Sequence, residues 1–314
     1  MFIKSQLMCQ FNVKTKILIH KKWRTKLNQI KITVDSPADI PENLAKKLYI
    51  KIIPLYVNTK QGSYKDMIDI TPNDIFNQYE TTKVLPKTSA CTIEDYINAF
   101  KNIIDNGDKV IHINIGSKFS SCYQNALIAS KEFSEGDVYV IDSKNLSSGM
   151  ALCVLTANEL IKQGETINNI SNKISTDIVP NIETSFIIEN LTYLHAGGRC
   201  SSVAKFGANL LKIKPCIDLE NGEMNSGKKY RGPFSKCVDE YINDRLSNRN
   251  DINKEVIFIT HSPCNKEIID QIKAKLKKQY NFKKVIEAQT SCTISSHCGP
   301  NTVGVIFLRN KIDK

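Results

Sequence analysis

No stretch of the 314 residues reaches the ~18 consecutive apolar residues that a membrane-spanning helix needs. The first 30 residues carry Lys and Arg but no apolar segment followed by a small-residue cleavage site, so no secretory signal is expected. None of the ten cysteines sits in a CxxC pair. Cysteines scattered along such a chain read as reduced thiols of a cytoplasmic protein. His297-Cys298 with Cys292 upstream is a poor zinc pattern, so no metal is expected. GxGxxG, GxSxG and HExxH are all missing. Gly222 to Lys229 approaches the phosphate-binding GxxxxGK[ST], but Lys229 stands where a hydroxyl should hold magnesium, and its context is a turn.

What is present points to a globular chain. Hydrophobic residues make up 41%, with only 14 Gly and 10 Pro, enough for a substantial core. The net charge of +11 suggests nucleic acid until it is located. Residues 1–31 hold eight Lys/Arg and no acid, which leaves +3 for the rest. That segment is read as a flexible basic leader over 1–29. It fits an arm for an acidic partner, a leader of no specific role, or a nucleic-acid tail. It holds the only Trp, Trp23, and no base-reading motif, so no nucleic-acid partner is expected.

Past the leader, short β-branched runs alternate with amphipathic stretches. Strands are expected at 30–34, 110–115 and 138–141. Thr71-Pro72-Asn73-Asp74 and Thr92-Ile93-Glu94-Asp95 carry helix-start signals. Tyr96, Phe100, Ile103 and Ile104 then share one face before Gly107 stops the helix. Further helices are expected over 147–163 and 167–178. This order predicts an α/β fold with a parallel sheet over 30–178. From 179 to 311 the pattern becomes α+β with a mixed or antiparallel sheet. Strands are read at 182–188, 214–219, 224–230, 256–260, 285–289 and 302–308, and helices at about 234–246 and 265–280. Asn221-Gly222 marks a hairpin, and Pro180 ends the helix before it.

Four segments bring hydroxyls together with glycine, a cation or an imidazole: 86–92, 116–124, 193–199 and 295–300. The first two are read as Ser/Thr loops at carboxyl ends of parallel strands, each opening a helix. Hydroxyls, free backbone N–H groups and the helix dipole suit a carboxylate or phosphate there. The same hydroxyls would equally cap the helices. Arg199 after two glycines offers a forked donor for an oxyanion. His297 offers a donor or a satisfied structural imidazole. His112 reads as core and His261 as structural.

Taken together these segments resemble the DegV family of fatty-acid-binding proteins, from about Lys31 to Leu308. Val34 to Ile40 resembles the family's opening DS-x-x-D-L/I turn. Lys87-Thr88-Ser89 resembles its TSQPS loop and Ser117 to Gln124 its SSGLSGTYQ loop. Leu191 to Arg199 resembles L-x-YL-x-KGGR, and His297 to Pro300 resembles H-x-GPG. The resemblance implies a two-domain DegV-like fold with an acyl tunnel between the domains. It implies that Thr88 and Ser120, with Ser89 and Ser117, hold the carboxylate of a C14–C18 fatty acid. Arg199 and His297 would lie near that carboxylate or assist its phosphorylation. No catalytic residue and no cofactor are implied. The implied partner is the ATP-binding subunit of a fatty acid kinase, with at most transient membrane contact. The sequence departs from the pattern at Ala90-Cys91, where Gln-Pro is usual, and at Ser121-Cys122, where Gly-Thr is usual. His195-Ala196 and Asn301 depart as well. The competing reading is a kinase-like or transferase enzyme acting on a small polar metabolite.

Overall fold

The computed structural model describes residues 29–201 and 213–310; the leader expected over 1–29 lies outside them but for its last residue. The chain opens with β1 (Ile30–Asp35), a 3-10 turn at Ser36–Ala38, α1 (Glu42–Lys47) and β2 (Lys51–Ile53). A hairpin of β3 (Tyr56–Thr59) and β4 (Gly62–Lys65) precedes α2 (Pro72–Thr82), β5 (Lys87–Ser89) and α3 (Ile93–Ile104). Then come β6 (Lys109–Asn114), α4 (Cys122–Ser130), β7 (Val138–Asp142), α5 (Ser148–Lys162) and α6 (Ile167–Lys173). The second half holds β8 (Ile182–Ile188), α7 (Thr192–Gly197), β9 (Ile213–Glu220), β10 (Glu223–Arg231) and α8 (Phe234–Leu246). It closes with β11 (Ile252–His261), α9 (Lys266–Lys278), β12 (Lys284–Gln289), α10 (Cys292–Cys298) and β13 (Thr302–Arg309).

The fold is α/β. Strands β2-β1-β6-β7 form an all-parallel sheet. Strands β10-β9-β8-β13-β11-β12 form a mixed sheet in which only β11 and β12 run parallel. A small antiparallel sheet, β4-β3-β5, stands apart.

Local chemistry explains the elements that were legible. Thr71 and Asp74 close a capping box on α2, with Pro72 in the first turn, and Thr92 and Asp95 close another on α3. Asn221 and Gly222 both take positive φ, 52° and 76°, as a tight two-residue hairpin requires. Helix α5 is buried on nearly every side through Ser148–Val154 and Ala157, as befits a helix lying between two sheets. It packs on β1 and β6 of one sheet and on β8 and β13 of the other. One buried apolar cluster therefore runs from Ile32 and Ile113 through Met150 to Phe258 and Ile306.

Two segments differ from expectation. The helix expected over 167–178 narrows to α6, then widens into a π turn at Ile174–Ile178 and a 3-10 turn at Val179–Asn181 that takes up Pro180. The stretch 295–300, for which the sequence predicts no element, is mostly helix: residues up to Cys298 belong to α10, capped by the Ser291 side chain.

Candidate functional site

In the parallel sheet, β1 connects to β2 on one side, and the chain later returns as β6 on the other. The carboxyl ends of β1 and β6 thus flank the point where strand order reverses, the usual ligand crevice of an open α/β sheet. The loop after β6 supplies Ile115, Phe119 and Ser120 to a pocket there. Edge strand β5 supplies Thr88 and Ser89. Arg199 lines the pocket as well, and His297 comes in from α10. Five of the six residues proposed from sequence therefore line one cavity of about 60 Å³.

Ser117 is the sixth and is not brought there. Its hydroxyl donates to Asp142 Oδ2 at 2.6 Å and its N–H to Asp142 Oδ1 at 3.1 Å, which ties the loop down on its exposed side. A second correction concerns Thr88 and Ser89. They do not end a parallel strand; β5 pairs antiparallel with β3, Val57 facing Thr88 and Tyr56 facing Ser89.

Thr88 Oγ1 lies 2.8 Å from His297 Nε2. The capping of α3 falls to Thr92, so the Thr88 hydroxyl is left to the pocket. Ser89 Oγ accepts from Asn58 Nδ2 at 2.7 Å. Ser120 Oγ accepts from the Cys122 N–H at 3.3 Å and donates to Cys122 Sγ at 3.1 Å, so it partly caps α4. Arg199 Nη1 donates to the Gly197 carbonyl at 2.8 Å, and the rest of its side chain is exposed. Burial, and then the Arg199 charge, pushes His297 down to about 4. The imidazole is neutral near pH 7, and among the described residues lining the pocket the cation is Arg199. His297 Nδ1 is buried with no hydrogen-bond partner among the described residues. It faces Gly197, where an added Cβ would fall 2.3 Å away.

Two buried carboxylates hold α10, and hence His297, in place. Asp66 accepts from Thr293 Oγ1 at 2.6 Å, Ser36 Oγ at 2.7 Å and the N–H groups of Cys292 and Thr293 at 2.7 and 3.3 Å. Asp39 accepts from the Ser291 N–H at 2.7 Å and meets Ser147 Oγ at 2.5 Å. Together they satisfy the free N–H groups that every helix start exposes. Burial raises both acids against these hydrogen bonds, Asp39 to about 7. Sequence reasoning placed Asp35 to Asp39 in a turn without assigning Asp39 or Asp66 a role. Their partners at the start of α10 lie more than 200 residues away, beyond any periodicity.

Leu146, Met224, Ile294 and His297 also line a second compartment of about 50 Å³ that runs inward between the sheets. Its surface is almost wholly apolar, although six hydroxyl residues line it. Each hydroxyl is consumed by the protein. Thr184 donates to Asn145 Oδ1, and Ser185 pairs with Tyr241 Oη. Thr260 pairs with Ser148, and Thr290 with Ser295. Thr302 donates to the Cys298 carbonyl, and Ser147 is bound to Asp39. Polar residues at one end and a greasy passage at the other form an amphiphile's site.

No helix among the described residues is long and apolar enough to cross a membrane. The family model described as "Uncharacterised protein, DegV family" matches residues 29–310. A DegV domain-containing protein of Clostridium acetobutylicum is 34% identical over 282 residues, 90% of this chain and 99% of its own. A Thermotoga maritima protein named fatty acid-binding protein is 31% identical over 281 residues, 88% of this chain and 96% of its own. Among solved structures, a DegV lipid-binding protein of Thermotoga maritima superposes with a TM-score of 0.78 at 30% identity, covering 90% of this chain and all of that one. A Thermus thermophilus DegV family protein, described by its fatty acid binding, superposes with a TM-score of 0.79 at 25% identity, covering 90% and 99%.

Proposed function

The chain belongs to the DegV family, and from that footing we propose that it binds one long-chain fatty acid. The carboxylate sits at Thr88 and Ser120, beside His297 and Arg199. The tail passes Met224 into the apolar compartment. One observation carries this reading: hydroxyls, an imidazole and an arginine gather at one end of a passage whose inner hydroxyls are all internally satisfied. A carboxylate gains hydrogen bonds at the first end and water is expelled from the second. A C16 tail buries about 14 methylenes at roughly 0.8 kcal/mol each, ~11 kcal/mol gross. The head contributes about 1 kcal/mol per neutral hydrogen bond, more when charge-assisted. Affinity then comes from the tail and orientation from the head.

The reading extends to a partner. The exposed Arg199 beside the head pocket supports presentation of the carboxylate to a separate ATP-binding kinase subunit. In that step a carboxylate oxygen attacks the terminal phosphorus of ATP, the bond to the bridging oxygen breaks, and acyl phosphate and ADP result.

Mass spectrometry of lipid extracted from the purified protein tests the core of the proposal. A stoichiometric C14–C18 acid is expected, with reduced retention in Thr88→Ala and Ser120→Ala. The reading fails if no acid co-purifies and calorimetry detects no binding of added C16 acid.

A further inference from the structure

Two departures from the family pattern meet in space. Cys91 stands where the first loop usually has Pro, and Cys122 where the second usually has Thr. Their sulfurs and a carboxylate oxygen of Asp35 all lie within 4.8 Å of one another, and all three residues are fully buried.

The carboxylate is held firmly. Tyr96 Oη donates to Asp35 Oδ1 at 2.7 Å, and Asn114 Nδ2 and the Ile115 N–H donate to Oδ2 at 3.0 and 2.9 Å. Metal-ligating carboxylates are oriented by such outer hydrogen bonds. The same cradle contains two buried polar atoms with no hydrogen-bond partner among the described residues, His112 Nε2 and Asn114 Oδ1. His112 Nε2 approaches Asp35 Oδ1 at 3.3 Å. Of the two, Asn114 Oδ1 is an acceptor without a donor beside a fixed carboxylate and two thiols, and that is the polarity a buried cation would relieve.

We propose that Cys91, Cys122 and Asp35 bind a thiophilic divalent cation such as Zn²⁺ through two thiolates and one carboxylate oxygen. Tetrahedral Zn²⁺ takes bonds of about 2.3 Å to sulfur and about 2.1 Å to oxygen, which sets its ligands roughly 3.5–3.8 Å apart. The three groups need to close by at most about 1 Å. Access runs through the head pocket. Ala90 and Ser120 line it, Cys91 follows Ala90, and Ser120 Oγ touches Cys122 Sγ.

A disulfide is the competing fate of two such thiols. The Cys91 thiol donates to the Pro54 carbonyl at 3.2 Å and the Cys122 sulfur accepts from Ser120 Oγ at 3.1 Å, so each sulfur already has a partner of its own. A cation neutralises the carboxylate and deprotonates the thiols it coordinates.

The test uses the full chain, reduced and treated with chelator, and requires no lipid, so it stands apart from the acyl reading. Titration with Co²⁺ is expected to take up one equivalent, give a sulfur-to-cobalt charge-transfer absorption, and lose that band when Zn²⁺ is added. Zn²⁺ uptake in weak buffer should release up to two protons per ion. The double variant Cys91→Pro, Cys122→Thr carries the residues of the family pattern. It should fold, lose the band and bind Co²⁺ at least 100-fold more weakly. If it does not fold, Cys122→Ser is read the same way. A band that is absent in the wild type, or undiminished in the variants, overturns the proposal. So does oxidation by diamide that joins Cys91 to Cys122 in a protein whose reduced form takes up no metal.

Discussion

Asp39 and His297 sit at opposite ends of α10's support and titrate in opposite senses. Asp39 is raised from 3.8 to about 7, so the folded chain holds its proton more tightly than the unfolded one. Its contribution is complete below about pH 4 and disappears as pH rises to 7. His297 is lowered from 6.5 to about 4. Its contribution is present above pH 6.5 and is lost as pH falls to 4. The two slopes oppose each other between pH 4 and 6.5. Asp39→Asn keeps an acceptor for the Ser291 N–H and a donor for Ser147 while removing one slope. Denaturant unfolding at pH 5 and 8 should show the variant gaining up to about 2–3 kcal/mol on the wild type at the higher pH. An unchanged difference between the two pH values would refute the assignment. Gly197→Ala acts on the other end. The new Cβ would fall 2.3 Å from His297 Nδ1, so the ring must leave Thr88. Fatty-acid affinity is expected to drop at least tenfold by calorimetry, and an unchanged affinity would show that the Thr88–His297 contact does not shape the head site.

Elements with their own start and stop chemistry were legible from sequence, and those built by burial were not. Thr92 and Asp95 announce α3 within four residues. Thr92→Ala should cost about 1 kcal/mol of stability and leave fatty-acid binding unchanged. Urea unfolding beside calorimetry checks both, and a loss of binding would mean that the cap also places Thr88. Asn221-Gly222 fixed the hairpin by dihedral demand. Helix α10 has a capping Ser291 and a closing Gly299, but its seven residues show no amphipathic period between them. Cys292, Thr293, Ser295, Ser296 and Cys298 are all buried, so no polar face exists to create a period. Strand β4 is mostly exposed and shows no apolar alternation, which hid the small sheet and made β5 read as a loop. Arg199 drew notice because it follows two glycines, and Thr88, Ser89, Ser120 and His297 because each sits in a hydroxyl-rich segment. Ser117 was drawn in for the same reason and went to Asp142 instead. The acids that hold α10 and the Cys91–Cys122 contact depend on tertiary proximity alone, and no local pattern carries that.

At the scale of the whole molecule the passage is narrower than its proposed cargo. The two compartments measure about 60 and 50 Å³, room for a few waters each at roughly 10–15 Å³ of such space apiece. A C16 tail has about 14 methylenes, each close to a water in size, and on the same scale needs about 140–210 Å³, more than the two together provide. Loading therefore requires the side chains between the sheets to part, and opening sets the pace of uptake. Four residues line both compartments: Leu146, Met224, Ile294 and His297. Met224 is the one that can move at least cost, since it is unbranched and its thioether adapts to irregular space. It is also buried, 7% exposed, so truncation removes real packing. Met224→Ala should lower stability by about 2–3 kcal/mol and join the compartments into one channel. Stopped-flow mixing with a fluorescent C16 acid is then expected to show uptake several-fold faster than in the wild type, with release accelerated as well. If stability falls while both rates stay unchanged, Met224 does not gate the passage, and the slow step lies at the head site beside Arg199.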